Sequence, residues 1–142
     1  MTVPEPFYRE VIRSLPIICV DVIIRSPAGR FLLLKRRHEP LRGQWWVIGG
    51  RILHGEHVLE AVGRKLREEA GVTVPAEPAF TGYFEGIFDR GPFGDPGAYH
   101  SLSFVFTLTI PEDTPITLDA QSSEYRWAEA LPVDFVVRPL AR

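Results

Sequence analysis

The stretch that decides the fold is Gly49–Val72, GGRILHGEHVLEAVGRKLREEAGV. Val58, Leu59, Val62, Leu66 and Ala70 recur at three- and four-residue spacing, which predicts an amphipathic helix over 57–70. Gly71 stands where a left-handed C-terminal cap belongs. On its other faces, Glu56, Glu60, Arg64 and Glu68 are spaced by four and form one polar ridge, with Lys65 and Glu69 as a second beside it. Most such ridges are solvated faces laced with ion pairs. Two features point to chemistry instead. Gly49-Gly50 brings bare backbone next to the polar face, and the adjacent Glu68 and Glu69 lie close to a cluster containing Glu56. Carboxylates that close repel, and a divalent cation relieves them. Hard oxygen donors of this kind suit Mg2+ or Mn2+.

Working outward, Ile17 to Arg25 is β-branched and apolar and reads as a buried strand, followed by the turn Ser26-Pro27-Ala28-Gly29 and a hairpin partner over 31–35. Asp21 interrupts that apolar strand, and a buried carboxylate needs a partner. Cys19, the only cysteine, reads as a small core residue. Trp45 to Ile48 is a third strand ending on Gly49-Gly50. Further strands are expected over 80–88, 101–110 and 124–127, and a short helix over 6–14. The segment 89–99, with Gly91, Pro92, Gly94, Pro96 and Gly97, is expected to be a loop, neither helix nor strand. Strands around one strong helix, with others at the ends, imply an α/β chain: a mixed β-sheet sandwiched between α-helices.

The 142 residues amount to one domain, 1–142. A net charge of -2 offers no basic surface for nucleic acid, whereas a compact anion needs only a few local Arg or Lys residues. Met1 to Glu10 lacks the apolar core of a signal peptide, and no run reaches the ~18 apolar residues of a membrane span, so a cytoplasmic protein without membrane association is expected. Arg36 and Arg51 flank the loop–helix and can form paired hydrogen bonds to phosphate oxygens. Trp45, Trp46 and Phe93 are candidates to stack on a base, although at least one tryptophan is expected in the core.

The segment resembles the signature of the Nudix hydrolases, G-x5-E-x7-R-E-U-x-E-E-x-G-U, with U a bulky aliphatic. Gly50, Glu56, Arg64, Leu66, Glu68, Glu69, Gly71 and Val72 match, so eight of the nine specified positions agree. The resemblance implies a Nudix fold over nearly the whole chain, Glu68 and Glu69 holding the metal, Arg64 orienting the acids, a small-molecule nucleotide substrate and a homodimer. The departure is Lys65, where the family usually has Glu. An ammonium there removes a ligand and supplies a partner for Glu69, so the site is expected to hold fewer metal ions, down to one.

Within the family, a sugar-releasing branch, the GDP-mannose mannosyl hydrolases, tolerates a depleted acidic box. Val11–Pro16 with Val20-Asp21, Leu33–Arg36, Gly43, Trp45, Gly49-Gly50-Arg51, and Gln121 with Tyr125-Arg126-Trp127 look like that branch. This likeness implies metal ligation by the Gly49 carbonyl, Glu69 and Gln121, and substrate contacts from Asp21, Arg36, Arg51 and Arg64. Arg51 and Arg64 would then serve catalysis. A metal on the diphosphate would stabilise a departing GDP while water attacks the sugar carbon. Two residues depart from the branch. Ser122 stands where it has a basic histidine, which makes Glu124 the nearest substitute, with His100 and His38 behind it. Glu68 keeps the box more acidic than the branch needs and points toward pyrophosphate cleavage of NDP-sugars or nucleoside triphosphates. A nucleotide-binding module without turnover is the third reading, supported by Lys65 and Ser122.

Overall fold

The computed structural model describes residues 3–73 and 77–139. Its elements run α1 (Glu5–Ser14), β1 (Ile17–Arg25), β2 (Phe31–Arg36), β3 (Trp45–Trp46), β4 (Ile48–Arg51), α2 (Val58–Ala70), β5 (Ala79–Arg90), β6 (Pro96–Thr109) and β7 (Ser122–Ala128). They form one mixed sheet in the order β3-β2-β1-β6-β5, with β4 added to β1 and β7 to β2. β1 and β6 are parallel from Ile17↔Ser101 to Arg25↔Thr109, and the other pairings are antiparallel. β1 and β2 pair only at their hairpin end, Arg25↔Phe31, so the sheet splays there and β4 takes the rest of that edge of β1.

Alternation along β1 assigns each sheet face. Val20, Val22 and Ile24 face α2 and meet Ala61, Val62, Leu66 and Ala70 in the main core. On the opposite face Ile17 and Cys19 pack under Tyr8, Val11 and Ile12 of α1, and Ile23 joins Trp46, Phe84 and Phe135. The sheet is therefore covered on both faces, on the second by α1 and by the coil around Phe135 rather than by a further helix.

Three expectations are corrected. The strand read over 45–48 is two strands: β3 pairs with β2 and β4 with β1, and Gly49 and Gly50 lie within β4, opposite Asp21 and Val20. Tertiary pairing overrides glycine's poor strand preference. The segment 89–99 is mostly strand, with β5 reaching Arg90, β6 starting at Pro96 and only 91–95 left as the turn. Pro96 is the first residue of its strand, where its missing N–H costs no ladder bond. In α2, His57 is the N-cap, its N–H donating to Glu60, and Leu59 lies 44% exposed, off the buried stripe. Gly71 closes the helix in the left-handed conformation, at φ 67°.

Candidate active site

β4 is built from glycine because two side chains occupy the space beside it. A Cβ on Gly49 would overlap the Asp21 carboxylate and come within 2.6 Å of the Val20 carbonyl oxygen. A Cβ on Gly50 would sit 2.8 Å from Lys65 Cε. The bare strand thus lets Asp21 approach from one sheet face and the Lys65–Glu69 ridge of α2 from the other. That ridge is not solvated: Lys65 and Glu69 are 6% and 3% exposed. Lys65 Nζ lies 3.4 Å from Glu68 Oε2 and 3.5 Å from Glu69 Oε2, and the Gly49 N–H donates to Glu69 Oε2 at 3.2 Å.

Glu56, Arg64 and Glu68 make the outer ridge. Arg64 donates to Glu56 through Nε (2.7 Å) and Nη2 (3.0 Å), reaches Glu68 at 3.3 Å, and donates to the Arg51 carbonyl at 3.0 Å. Arg64 therefore fixes both the loop before the helix and the end of β4. Glu56 also accepts from the Leu53 N–H, and these bonds hold its carboxyl below the usual range.

A cleft of about 560 Å³ opens on the α1 side of the sheet and wraps round β4 to α2. Asp21, Ser101 and Ser103 lie along its floor, Trp46, Phe84, Phe88 and Tyr99 supply aromatic walls, and Arg36, Arg51, Arg64 and Lys65 line it with positive charge. Burial pushes the Asp21 carboxyl up to about 7, against a lowering bond from Ser103. Burial likewise pushes Glu69 to about 7, opposed first by Lys65. Arg36 is pulled down by burial and held charged by Glu69 and Asp21, while its Nε donates to the Pro40 carbonyl at 2.6 Å. Asp21, the buried carboxylate in search of a partner, therefore sits with Ser103 and Arg36.

Gln121 lines the cleft, and its Nε2 donates to Asp119 at 3.0 Å. Its loop is tied to the loop after β2, since the Arg37 N–H donates to the Gln121 carbonyl and Arg36 pairs with Ser122. Ser122 is 4% exposed. Glu124 is placed elsewhere: it is exposed, 3.4 Å from Lys35 Nζ, and does not line the cleft. His100 bonds Glu85 and is also outside it, whereas His38 lines it. Trp46 is 6% exposed, with Phe135 edge-on at 5.4 Å; Trp45 carries Arg126 at 4.3 Å, and Phe93 packs on Tyr8. Cys19 is buried, with its thiol pushed up to about 12, so it is an inert wall. Sequence reasoning missed Tyr8, whose ring lies 4.5 Å from the Arg51 guanidinium; no local pattern on α1 marks it.

Among the described residues no three His, Cys, Asp or Glu side chains form a metal-holding group. The donor set fits a different arrangement. A Mg2+-type ion commonly takes one or two carboxylates and keeps water and substrate phosphate as its other ligands. Glu68, which lines the cleft as Gln121 does, and its neighbour Glu69, buried behind the lining with a raised pKa, are the candidate pair.

Residues 15–136 match the family model described as NUDIX domain. A low-salt glycan biosynthesis protein, Agl8, of Haloferax volcanii is 32% identical over 87% of this chain and 78% of its own length. An ADP-ribose pyrophosphatase of Methanocaldococcus jannaschii is 36% identical over 67% of this chain, which spans about half of that protein, 52%. The crystal structure of a MutT protein from Methanosarcina mazei Go1 superposes with a TM-score of 0.66 at 28% identity, covering 84% of this chain and 88% of that one. The chain belongs to the Nudix family of hydrolases and has its fold. Nudix hydrolases generally use divalent metal ions and act on small-molecule nucleotides. None of the helices among the described residues is long and apolar enough to cross a membrane.

Proposed function

We propose that this chain, as a single Nudix domain over 1–142, hydrolyses a nucleoside diphosphate sugar of the GDP-mannose type, releasing nucleoside diphosphate and free sugar. One observation carries the reading: four cationic side chains, Arg36, Arg51, Arg64 and Lys65, border a cleft whose floor is a carboxylate and two serine hydroxyls. The cations match a diphosphate, with the arginines able to bind it in a forked manner. Asp21, Ser101 and Ser103 match the hydroxyl or amide groups of what the diphosphate carries. The glycan biosynthesis relative from Haloferax volcanii agrees with a sugar-linked substrate.

Glu68, Glu69, Gln121 and the Gly49 carbonyl would hold one Mg2+ or Mn2+. When bound, the ion supplies charge stabilisation to the departing diphosphate. The rest falls to side chains. Arg64 keeps Glu68 and the Arg51 backbone in place, and Arg36 and Arg51 hold phosphate oxygens. Lys65 supplies a fixed positive charge where a more acidic box would take another ion. Water attacks the anomeric carbon, the C–O bond breaks with its electron pair leaving on the diphosphate, and a base takes the water's proton. Glu124 lies outside the cleft, so His38 takes this role: it is the one lining imidazole among the described residues, and it follows Arg37, whose N–H bonds the Gln121 carbonyl.

A pyrophosphohydrolase acting on the diphosphate itself is the second reading. It is favoured by Glu68 at the mouth of the cleft and by the likeness to an ADP-ribose pyrophosphatase. Turnover of GDP-mannose with Mg2+ in ¹⁸O-labelled water separates the two. Label in free mannose, alongside unlabelled GDP, is the expected result. Sugar phosphate plus GMP, with label on phosphorus, selects the second reading. Binding without product across a panel of nucleotides would exclude both.

A further inference from the structure

We propose that Tyr8 is a positioning residue for Arg51, so that α1 completes the phosphate-binding wall of the cleft; this rests on the reading of Arg51 as a phosphate contact. Arg51 ends β4, where its carbonyl is held by Arg64. Its side chain forms no ion pair with a carboxylate among the described residues. What it meets is the Tyr8 ring, 4.5 Å from the guanidinium carbon, well within cation–π range. The arrangement suits an anion-binding arginine. Stacking fixes the plane of the guanidinium and leaves its N–H groups free to donate, whereas a carboxylate partner would use them.

Tyr8 is itself held from several sides. Phe93 lies edge-on to it, 5.8 Å between centroids at 80°, and Phe93 carries the Arg9 guanidinium at 4.5 Å. Arg9 pairs with Glu5 and with Asp95 of the 91–95 turn, so α1 and that turn form one clamp. On the inner side Tyr8 packs against Tyr99, which lines the cleft. The same helix rests on Ile17, Cys19 and Tyr99 through Tyr8, Val11 and Ile12. Two elements far apart in sequence, the first helix and the β5–β6 turn, thus set the orientation of one arginine. A flexible arginine loses rotamer freedom on binding a ligand, and a stacked one has already lost most of it.

Calorimetric binding of the Mg2+ complexes of GDP, UDP and ADP to the full chain tests this, using whichever binds most tightly. Tyr8→Leu is expected to weaken binding roughly five- to tenfold. Tyr8→Phe, which keeps the ring and loses the hydroxyl, is expected to stay within about twofold of wild type. Adding Tyr8→Leu to Arg51→Gln should then cost nothing further, because the group being positioned is gone. Wild-type affinity in Tyr8→Leu, equal losses in Tyr8→Leu and Tyr8→Phe, or full additivity in the double variant each overturn the proposal while leaving the Arg51 reading intact. Unchanged affinity in Arg51→Gln, or no binding of any of the three by wild type, overturns both.

Discussion

The two faces of β1 carry opposite kinds of side chain. Val20, Val22 and Ile24 are at most 2% exposed and pack in the apolar cluster beneath α2. One residue out of step, Cys19 and Asp21 border a cleft floored with serine hydroxyls and rimmed by arginine. A strand's two-residue alternation puts core and chemistry on opposite sides of one backbone. α2 divides differently: Val62 and Leu66 are fully buried in the core, while Lys65 and Glu69, on the adjoining ridge, are buried beside Gly50 and Gly49. The stabilising side is an apolar cluster. The working side buries charged groups at a cost, and their pairing with Lys65, Arg36 and Ser103 only partly offsets it.

Substitutions on the two sides should therefore separate, and the largest effect belongs to Glu69. Glu69→Gln is expected to lower metal-dependent kcat on the order of a hundredfold or more, with the melting temperature little changed because Lys65 keeps Glu68. Near-normal turnover would mean the metal site is misplaced. Leu66→Ala should do the reverse, costing about 2–5 kcal/mol in denaturant unfolding while folded protein keeps its kcat. A matching loss of kcat would show that the two sides are not independent.

A subtler separation lies in pH. Asp21 is raised from 3.8 to about 7, so between those values the native state holds a proton that the unfolded chain has released. Stability of the metal-free protein must then fall as pH rises through this window and level off above about 7, with Glu69 adding to the slope. Asp21→Asn should flatten that slope by up to about 1.4 kcal/mol per pH unit and be relatively more stable at pH 8. An identical slope in the variant would show that Asp21 is not the buried acid responsible. The smallest effect is expected at Glu124: Glu124→Gln should leave turnover within about twofold, and a large loss would return this carboxylate to the mechanism.

The sequence by itself determined the second helix to within its N-cap residue, its left-handed cap at Gly71, the strand Ile17–Arg25 and the family, because each rests on local periodicity or fixed spacing. It marked Asp21 as anomalous, since a carboxylate in an apolar strand stands out without any structure. What it could not read depends on pairing between distant segments. β4 is a strand because β1 offers it an edge, and the glycine pair is required because Asp21 and Lys65 press on it from opposite sides. Glu124, two residues from Ser122 and close in the chain to Gln121, faces Lys35 instead of the cleft, whereas Arg37, more than eighty residues away, bonds the Gln121 carbonyl through its backbone N–H, and the next residue, His38, lines the cleft with Gln121. Tyr8 and Arg51 meet only after the first helix docks on the second face of the sheet. Spacing along one helix fixes which side chains share a ridge. Which ridge is buried, and what faces it across the cleft, is decided by the sheet.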